Sequence, residues 1–313
     1  MKFDWELKPE ATYLPPKSLR ENSNSATKLE RTRKYHWRLG EISLVDNLPI
    51  PAHLEWVTSA KITPEIIRSW KGVRRFGALT AYDYPMARWL DEAGVPLLLV
   101  GDSVGMVVLG HPNTTHVSMN DMEHHVRAAA RAKPNGCLGG DLPYRSYETP
   151  AAAVLNAQRL VAAGAEFVKA EGGREIEAHV RAITAAGINF CGHLGMLPQH
   201  ILEEGAYRIK GRTDSEHERL LSDARLLAAA GAFAVVLELV TPPVACEITR
   251  AISIPTIGIG SGPDCDGQIL VTSDLIGGFP WFTPRFVKPR VQTVAAARQA
   301  VAGWLAELST GQG

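Results

Sequence analysis

The sequence predicts an α/β protein built as a (β/α)8 TIM barrel with an N-terminal extension. Three observations lead to this prediction: helical and strand-like segments alternate, the strands are nearly continuous aliphatic runs, and about eight of them follow residue 72. Aliphatic strands joined by helices are typical of a parallel sheet that is covered on both faces. Eight such strands in about 240 residues match the size of a TIM barrel.

The individual elements follow a repeated sequence pattern, in which an alanine-rich helix ends at glycine and a buried strand begins within a few residues. The pattern occurs as "AQRLVAAGAEFVKAEGG", "VRAITAAGINFCGHLG" and "ARLLAAAGAFAVVLELV". Glycine is a common residue at a helix C-terminus because it adopts the left-handed conformation without steric cost. We predict eight strands, near residues 74–81, 97–102, 136–141, 167–171, 188–193, 233–238, 255–260 and 284–288.

A doubly wound open sheet is the alternative architecture for such a chain. That fold usually carries a glycine-rich fingerprint after its first strand, whereas this chain has "TAYDYP" at that position. The barrel is therefore favoured.

The chain divides near residue 72 into an irregular extension, residues 1–72, and the barrel, residues 73–313. The extension lacks sustained periodicity, yet it contains four of the seven tryptophans: Trp5, Trp37, Trp56 and Trp70. Such aromatic content is higher than expected for a plain disordered tail. We expect the extension to pack onto the barrel or onto a neighbouring subunit, and a partner-binding arm is the alternative.

Composition argues against several classes of function. The chain has 33 basic and 33 acidic side chains, so no net positive field favours nucleic acid or an anionic membrane. The apolar stretch at 226–237 is too short to span a membrane, and the charged N-terminus lacks the apolar core of a secretory signal. Four cysteines among 313 residues do not form a disulfide framework. We expect a cytoplasmic protein with a small-molecule partner, without nucleic-acid or membrane binding.

Polar side chains stand near the ends of five predicted strands, where aliphatic runs would otherwise lead into solvent: Asp102, Asp141, Lys169 with Glu171, His193, and Glu238. The C-terminal strand ends of a TIM barrel converge on one face, so we expect these side chains to share one pocket. Three carboxylates without a thiolate form a hard oxygen site that suits Mg²⁺. The alternative is a set of unrelated polar residues that cap turns or face water.

Eight ordered motifs between about residues 74 and 290 resemble those of the ketopantoate hydroxymethyltransferase (3-methyl-2-oxobutanoate hydroxymethyltransferase) family. They are "LTAYDYP", "LLLVGDSVGMVVLGH", "GDLPYRSY", "VKAEGG", "GHLGMLPQ", "GAYRIKGR", "IPTIGIG" and "DGQILV". The resemblance implies a (β/α)8 enzyme of the phosphoenolpyruvate/pyruvate-binding superfamily. It also implies transfer of a one-carbon unit from methylene-tetrahydrofolate to α-ketoisovalerate, which gives ketopantoate for pantothenate and coenzyme A synthesis. We expect a homo-oligomer.

The resemblance assigns roles to the polar residues at the strand ends. The implied metal ligands are Asp102, Asp141 and Glu171. The implied substrate-binding residues are Asp102, Ser103, Asp141 and Lys169, and we place His193 with them. The implied catalytic acid/base is Glu238. The expected cofactor is Mg²⁺, and methylene-tetrahydrofolate is the expected co-substrate.

These roles agree with the chemistry of a 2-oxo acid. Its carboxylate and ketone oxygens can chelate Mg²⁺, which stabilises the negative charge that develops when the neighbouring carbon loses a proton. A positive charge on Lys169 adds electrostatic stabilisation. Two alternatives remain open: a specialised paralogue that applies this chemistry to a different 2-oxo acid, a different one-carbon source or carbon–carbon bond cleavage, and a catalytically silent partner protein.

Overall fold

A computed structural model describes residues 60–310 of the chain. Its eight strands are all parallel and close into a barrel in chain order, with the last strand paired to the first. The strands are β1 Phe76–Thr80, β2 Leu97–Val100, β3 Cys137–Asp141, β4 Phe167–Glu171, β5 Asn189–Gly195, β6 Ala234–Glu238, β7 Thr256–Ile259 and β8 Gly267–Leu270. The predicted (β/α)8 barrel is confirmed.

The helices of the described residues are α1 Pro64–Ser69, α2 Tyr84–Glu92, α3 Val104–Val107, α4 Met119–Ala130, α5 Pro150–Ala163, α6 Glu177–Ala185, α7 Ile201–Glu204, α8 Asp214–Ala229, α9 Pro242–Ala251, α10 Thr272–Leu275 and α11 Thr293–Ser309. Of these, α1 precedes the first strand, α2 to α9 lie in the connections between strands, and α10 and α11 follow the last strand. The start and end of α5 illustrate the local signals. Thr149 accepts a hydrogen bond from the Ala152 backbone N–H, and Gly164 ends the helix at φ 115°.

The barrel has two apolar cores, one between the sheet and its helices and one inside the sheet. The interior core includes Leu97, Leu99, Phe167 and Ile257. The Phe167 ring lies so close to Gly139 that a Cβ at residue 139 would approach a ring atom to 2.1 Å. Glycine is therefore required on the neighbouring strand for the aromatic ring to fill the barrel.

The predicted eighth strand at residues 284–288 is wrong. That segment is irregular, and β8 lies earlier, at Gly267–Leu270. β8 was hard to recognise because it offers only two aliphatic side chains, Ile269 and Leu270, and pairs with β7 at two positions alone. The other seven predicted strands overlap the observed ones.

Residues 1–59 lie outside the described part of the chain, so the irregular extension and the boundary at residue 72 stay predictions. The described part of the predicted extension, residues 60–72, packs at the N-terminal end of the strands. Ile67 and Trp70 belong to the interior core, and Lys71 Nζ lies 2.8 Å from Asp266 Oδ2 beside β8. Between residues 60 and 310, every helix is too short or too polar to cross a membrane.

Candidate active site

The strand register places polar side chains inside the barrel at its C-terminal end. Side chains alternate between the two faces of a strand, so Lys169 and Glu171 face the interior together with Phe167. Asp141 is the register partner of Lys169 on β3, and His193 is the register partner of Glu171 on β5. Four chemically active side chains are therefore neighbours in the upper layers of the barrel.

The remaining predicted site residues join this group from strand ends. The Asp102 backbone N–H follows β2 and donates to Asp141 Oδ2 at 3.1 Å. Ser103 comes next and shares a 2.8 Å hydrogen bond with the hydroxyl of Tyr82, which follows β1. Glu238 ends β6, and its Oε2 lies 3.3 Å from His193 Nε2. The structure thus brings all the predicted residues together at the C-terminal end of the barrel, and we call this cluster the pocket.

Lys169 lies at the centre of a row of three buried polar side chains, Asp141, Lys169 and His193, which we call the buried polar chain. Its Nζ lies 3.1 Å from Asp141 Oδ2 and 3.2 Å from His193 Nδ1. An ammonium group only donates, so Nδ1 of His193 must accept, and the imidazole proton is assigned to Nε2. This proton faces Glu238, although the 3.3 Å contact falls short of hydrogen-bond geometry.

Gln199, which was not among the predicted site residues, holds the carboxylates in place. Its side-chain amide donates to Asp102 Oδ2 at 2.8 Å and to the Leu142 carbonyl at 3.0 Å. Its backbone N–H donates to Glu171 Oε2 at 3.0 Å, and its side-chain oxygen accepts from Tyr147 at 2.7 Å. The "GHLGMLPQ" motif ends at this glutamine, so the residue was visible in the sequence, but its partners were not.

Burial dominates the protonation of the pocket. It raises the pKa of Glu171 and Asp102, and it raises the pKa of Asp141 to about 7 although Lys169 opposes this shift. Burial alone would lower the pKa of Lys169, but the three carboxylates, Asp141 first, raise it above its usual value. The pocket therefore keeps a charged ammonium among carboxylates that are reluctant to ionise together.

Glu238 and His193 form the second half of the pocket. Burial raises the pKa of Glu238 to about 7, against the opposing charge of Lys169. Burial, with a smaller contribution from Lys169, holds the pKa of His193 well below its usual value, so the imidazole is neutral. A carboxyl group that titrates near neutrality beside a neutral imidazole is suited to accept and return a proton.

The pocket has donor chemistry that fits a hard divalent cation. Three buried carboxyl groups and the half-buried Glu238 face one ammonium, and the buried oxygens Asp141 Oδ1 and Glu171 Oε1 have no hydrogen-bond partner among residues 60–310. Across residues 60–310, however, no three His, Cys, Asp or Glu side chains are already arranged as metal ligands. A cation would therefore draw its protein ligands from these carboxylates and complete its shell with water and substrate oxygens, as Mg²⁺ usually does.

Known structures of similar fold confirm the architecture. Phosphoenolpyruvate phosphomutase from Streptomyces platensis subsp. rosaceus superposes with a TM-score of 0.55 at 14% identity, over 80% of this chain and 88% of that chain. 2,3-Dimethylmalate lyase, a member of the PEP mutase/isocitrate lyase superfamily, gives 0.53 at 15% identity, over 78% and 88%. At these identities the likeness shows the fold alone.

Sequence relatives are much more similar to the chain. The family model of ketopantoate hydroxymethyltransferase matches residues 61–312. The 3-methyl-2-oxobutanoate hydroxymethyltransferase of Ignicoccus hospitalis is 48% identical over 79% of this chain and 94% of its own length. The enzyme of that name from Syntrophus aciditrophicus is 48% identical over 80% and 93%. The chain thus belongs to the ketopantoate hydroxymethyltransferase family of transferase enzymes.

Proposed function

We propose that the chain transfers a hydroxymethyl group from methylene-tetrahydrofolate to α-ketoisovalerate (3-methyl-2-oxobutanoate) in a Mg²⁺-dependent reaction that gives ketopantoate. The observation that carries this proposal is that two kinds of polar side chains occupy different sides of the pocket. Acidic side chains and Lys169 occupy one side, and Glu238 faces neutral His193 on the other. One side suits the oxygens of a 2-oxo acid, and the other suits proton transfer at its carbon.

The acidic side would bind and orient the 2-oxo acid. Asp102, Asp141 and Glu171 would hold Mg²⁺, which supplies Lewis-acid polarisation of the ketone oxygen. Gln199 orients Asp102 and Glu171 through separate hydrogen bonds, so the two carboxylates keep their positions before substrate arrives. Lys169 places a fixed positive charge beside the same oxygens, where negative charge develops during the reaction.

The opposite side would move the proton. Glu238 accepts the proton from the carbon next to the ketone, and that carbon forms its new bond to the one-carbon unit. Water supplies the hydroxyl oxygen, and tetrahydrofolate leaves with the protons on its nitrogens. His193 is neutral, so its Nε2 proton faces Glu238 without adding a charge that would suppress the basicity of that carboxylate.

We expect the turnover rate to rise with pH through about 7. A base must be deprotonated, and burial raises the pKa of Glu238 to about 7, so acidification through this range removes the active form. The measurement is the pH dependence of kcat/KM from pH 5.5 to 9. Burial also raises the pKa of Asp141 to about 7, so the assay uses saturating Mg²⁺, which should keep that carboxylate ionised. In Glu238→Gln the residual rate should then lose the acid limb, and a limb that persists in the variant contradicts the assignment.

The direct test of the function is a steady-state assay with α-ketoisovalerate, methylene-tetrahydrofolate and Mg²⁺, with ketopantoate as the measured product. Pyruvate and 2-oxobutanoate, in parallel reactions, compare other 2-oxo acids, and formaldehyde replaces the folate in another. We expect the highest kcat/KM for α-ketoisovalerate with the folate. A higher value with another acid or donor identifies a specialised paralogue, and turnover with none of them indicates a silent partner protein.

A homo-oligomer is the proposed state of the protein. Helix α11 has no buried residue, and it exposes Val301, Trp304, Leu305 and Leu308. Apolar surface of this extent is typical of a protein interface. We expect Trp304→Lys with Leu308→Lys to lower the molar mass measured by sedimentation equilibrium, while Arg298→Glu on the same helix serves as a charge control. An unchanged mass in the double variant contradicts the proposal that a second copy of the chain binds this face of α11.

A cytoplasmic location of the protein also stays a prediction.

A further inference from the structure

The hydroxyl of Tyr147 contacts two parts of the pocket. Tyr147 lies in the connection between β3 and α5, and its ring packs against the apolar core between the sheet and its helices. Its hydroxyl lies 2.7 Å from Gln199 Oε1, 3.3 Å from the Glu171 carbonyl oxygen and 3.4 Å from the Glu171 backbone nitrogen. One phenol therefore joins the end of β4 to the helical turn that follows β5.

The distances fix the direction of the hydrogen bond between Tyr147 and Gln199. A phenol carries one proton, and Gln199 Oε1 is nearer to it than the Glu171 carbonyl oxygen. The proton is therefore assigned to the bond with Gln199, and the phenol oxygen accepts from the Glu171 backbone N–H. Tyr147 thus donates to the side-chain oxygen of Gln199.

The amide of Gln199 has partners at both of its ends. Its Nε2 donates to Asp102 Oδ2 at 2.8 Å and to the Leu142 carbonyl at 3.0 Å, and the residue is only 1% exposed. The two ends of a side-chain amide have almost the same shape, so these partners set its orientation. In the opposite orientation, the amide oxygen would face the Asp102 carboxylate and the Leu142 carbonyl. Two acceptors at the nitrogen and the Tyr147 donor at the oxygen therefore hold the same orientation.

Gln199 in turn binds one oxygen of each of two carboxylates. Its side chain binds Asp102 Oδ2, and its backbone N–H binds Glu171 Oε2 at 3.0 Å. The other oxygen of Glu171, Oε1, is buried and has no hydrogen-bond partner in the described part of the chain. Without the Tyr147 hydroxyl, the buried oxygen of Gln199 would lose its donor, which is unfavourable. Movement of the side chain toward another donor would break its hydrogen bond to Asp102.

We propose that Tyr147 is a positioning residue of the cation site, which acts through Gln199 to keep the carboxylates in the arrangement that binds Mg²⁺. The inference rests on the proposed function, because it takes Asp102 and Glu171 as ligands of the cation. Replacement of a residue that hydrogen-bonds a metal ligand commonly lowers metal affinity by about 10- to 100-fold. The Tyr147 hydroxyl acts through one further residue, so the lower end of that range applies.

The test is the binding of Mg²⁺ to Tyr147→Phe. Phenylalanine keeps the ring that packs against the core and removes the hydroxyl alone. Isothermal titration calorimetry of chelator-treated protein with Mg²⁺, without substrate, gives the Kd of the cation, and we expect this Kd to rise about tenfold. The Mg²⁺ concentration that gives half the maximal turnover rate should rise likewise. In contrast, kcat at saturating Mg²⁺ should stay within about twofold of wild type.

A double-mutant cycle with Gln199→Met separates positioning from a general loss of stability. Methionine keeps an unbranched side chain but cannot donate to Asp102, so Gln199→Met should itself weaken Mg²⁺ binding. Because Tyr147 acts through Gln199, the addition of Tyr147→Phe to Gln199→Met should not raise the Kd further. A purely structural effect of Tyr147→Phe would lower Tm in both backgrounds without this pattern of Kd values.

Tyr84→Phe is the matched control. Tyr84 is an exposed tyrosine at the start of α2, and its hydroxyl accepts from Arg88 Nη1 at 3.1 Å, so the Kd of Mg²⁺ should stay at the wild-type value. Thermal denaturation checks that each variant folds. Three results overturn the role of Tyr147 while the proposed function stands: an unchanged Kd in Tyr147→Phe, an equal further rise in the Gln199→Met background, or a fall in kcat that saturating Mg²⁺ does not restore. Wild-type protein that binds no Mg²⁺ and turns over fully after chelation overturns the proposed Mg²⁺ dependence itself.

Discussion

Replacement of Glu238 by glutamine should slow two separable reactions together, by about 10²-fold or more, the contribution of a typical general base. The first is exchange of solvent deuterium into α-ketoisovalerate without a one-carbon donor, and the second is ketopantoate formation. Glutamine keeps the size and polarity of the side chain but cannot accept a proton at this carbon. Proton NMR of the 2-oxo acid in deuterated buffer measures the exchange, and a discontinuous product assay measures the transfer.

The two rates together separate three roles for Glu238. Exchange that survives while product formation falls places Glu238 on the one-carbon unit and not on the carbon-bound proton. Two rates near wild type make Glu238 structural and pass the acid/base role to His193. Glu247→Gln is the control, because Glu247 is an exposed glutamate on α9 whose carboxylate pairs with His217 and lies outside the pocket.

The case for Glu238 over His193 depends on the buried polar chain. Lys169 donates to Nδ1 of His193 and thereby uses the lone pair through which a neutral imidazole accepts a proton. Nε2 carries the proton and faces Glu238. His193 is therefore not free to act as a base while Lys169 is charged, and the charge of Lys169 is stabilised by Asp141. The carboxylate remains the available acceptor.

Much of this site followed from the sequence because a barrel imposes two regularities. Side chains alternate along a strand, so the spacing of Phe167, Lys169 and Glu171 fixes one face for all three. The C-terminal ends of parallel strands converge, so Asp141 and His193 had to be neighbours of that face once the strands were recognised. Helix ends marked by glycine located the strands themselves.

The features that escaped sequence analysis depend on contacts that no periodic pattern encodes. Gln199 lies in a short helical turn after β5 and reaches carboxylates at the ends of two other strands, so its role depends on the three-dimensional fold. β8 is recognisable by its pairing with β1, since its own composition is weakly strand-like.

Asp141→Asn should lower kcat/KM for product formation by about 10²- to 10³-fold, the usual loss when one preorganised electrostatic contact to developing charge is removed. Asp141 has two functions in the pocket. Its Oδ2 stabilises Lys169 and accepts from the Asp102 backbone, while its buried Oδ1 has no partner in the part of the chain that the structure describes. Asparagine keeps the shape but removes the negative charge that both Lys169 and a divalent cation require.

Metal binding can be followed independently of turnover, because a ligand that binds only the folded state raises Tm. Mg²⁺ should raise the Tm of chelator-treated wild type and restore its activity, whereas Asp141→Asn should show a much smaller rise. Asp223→Asn is the matched control: Asp223 is also buried but pairs with Arg174 outside the pocket, so its Mg²⁺ response should persist. Full activity after exhaustive chelation, or an Asp141→Asn variant with wild-type turnover and Tm response, would remove the cation from the mechanism. The carboxyl groups of the pocket would then have Lys169 as their one charged partner among residues 60–310, and substrate binding itself would have to supply the missing compensation.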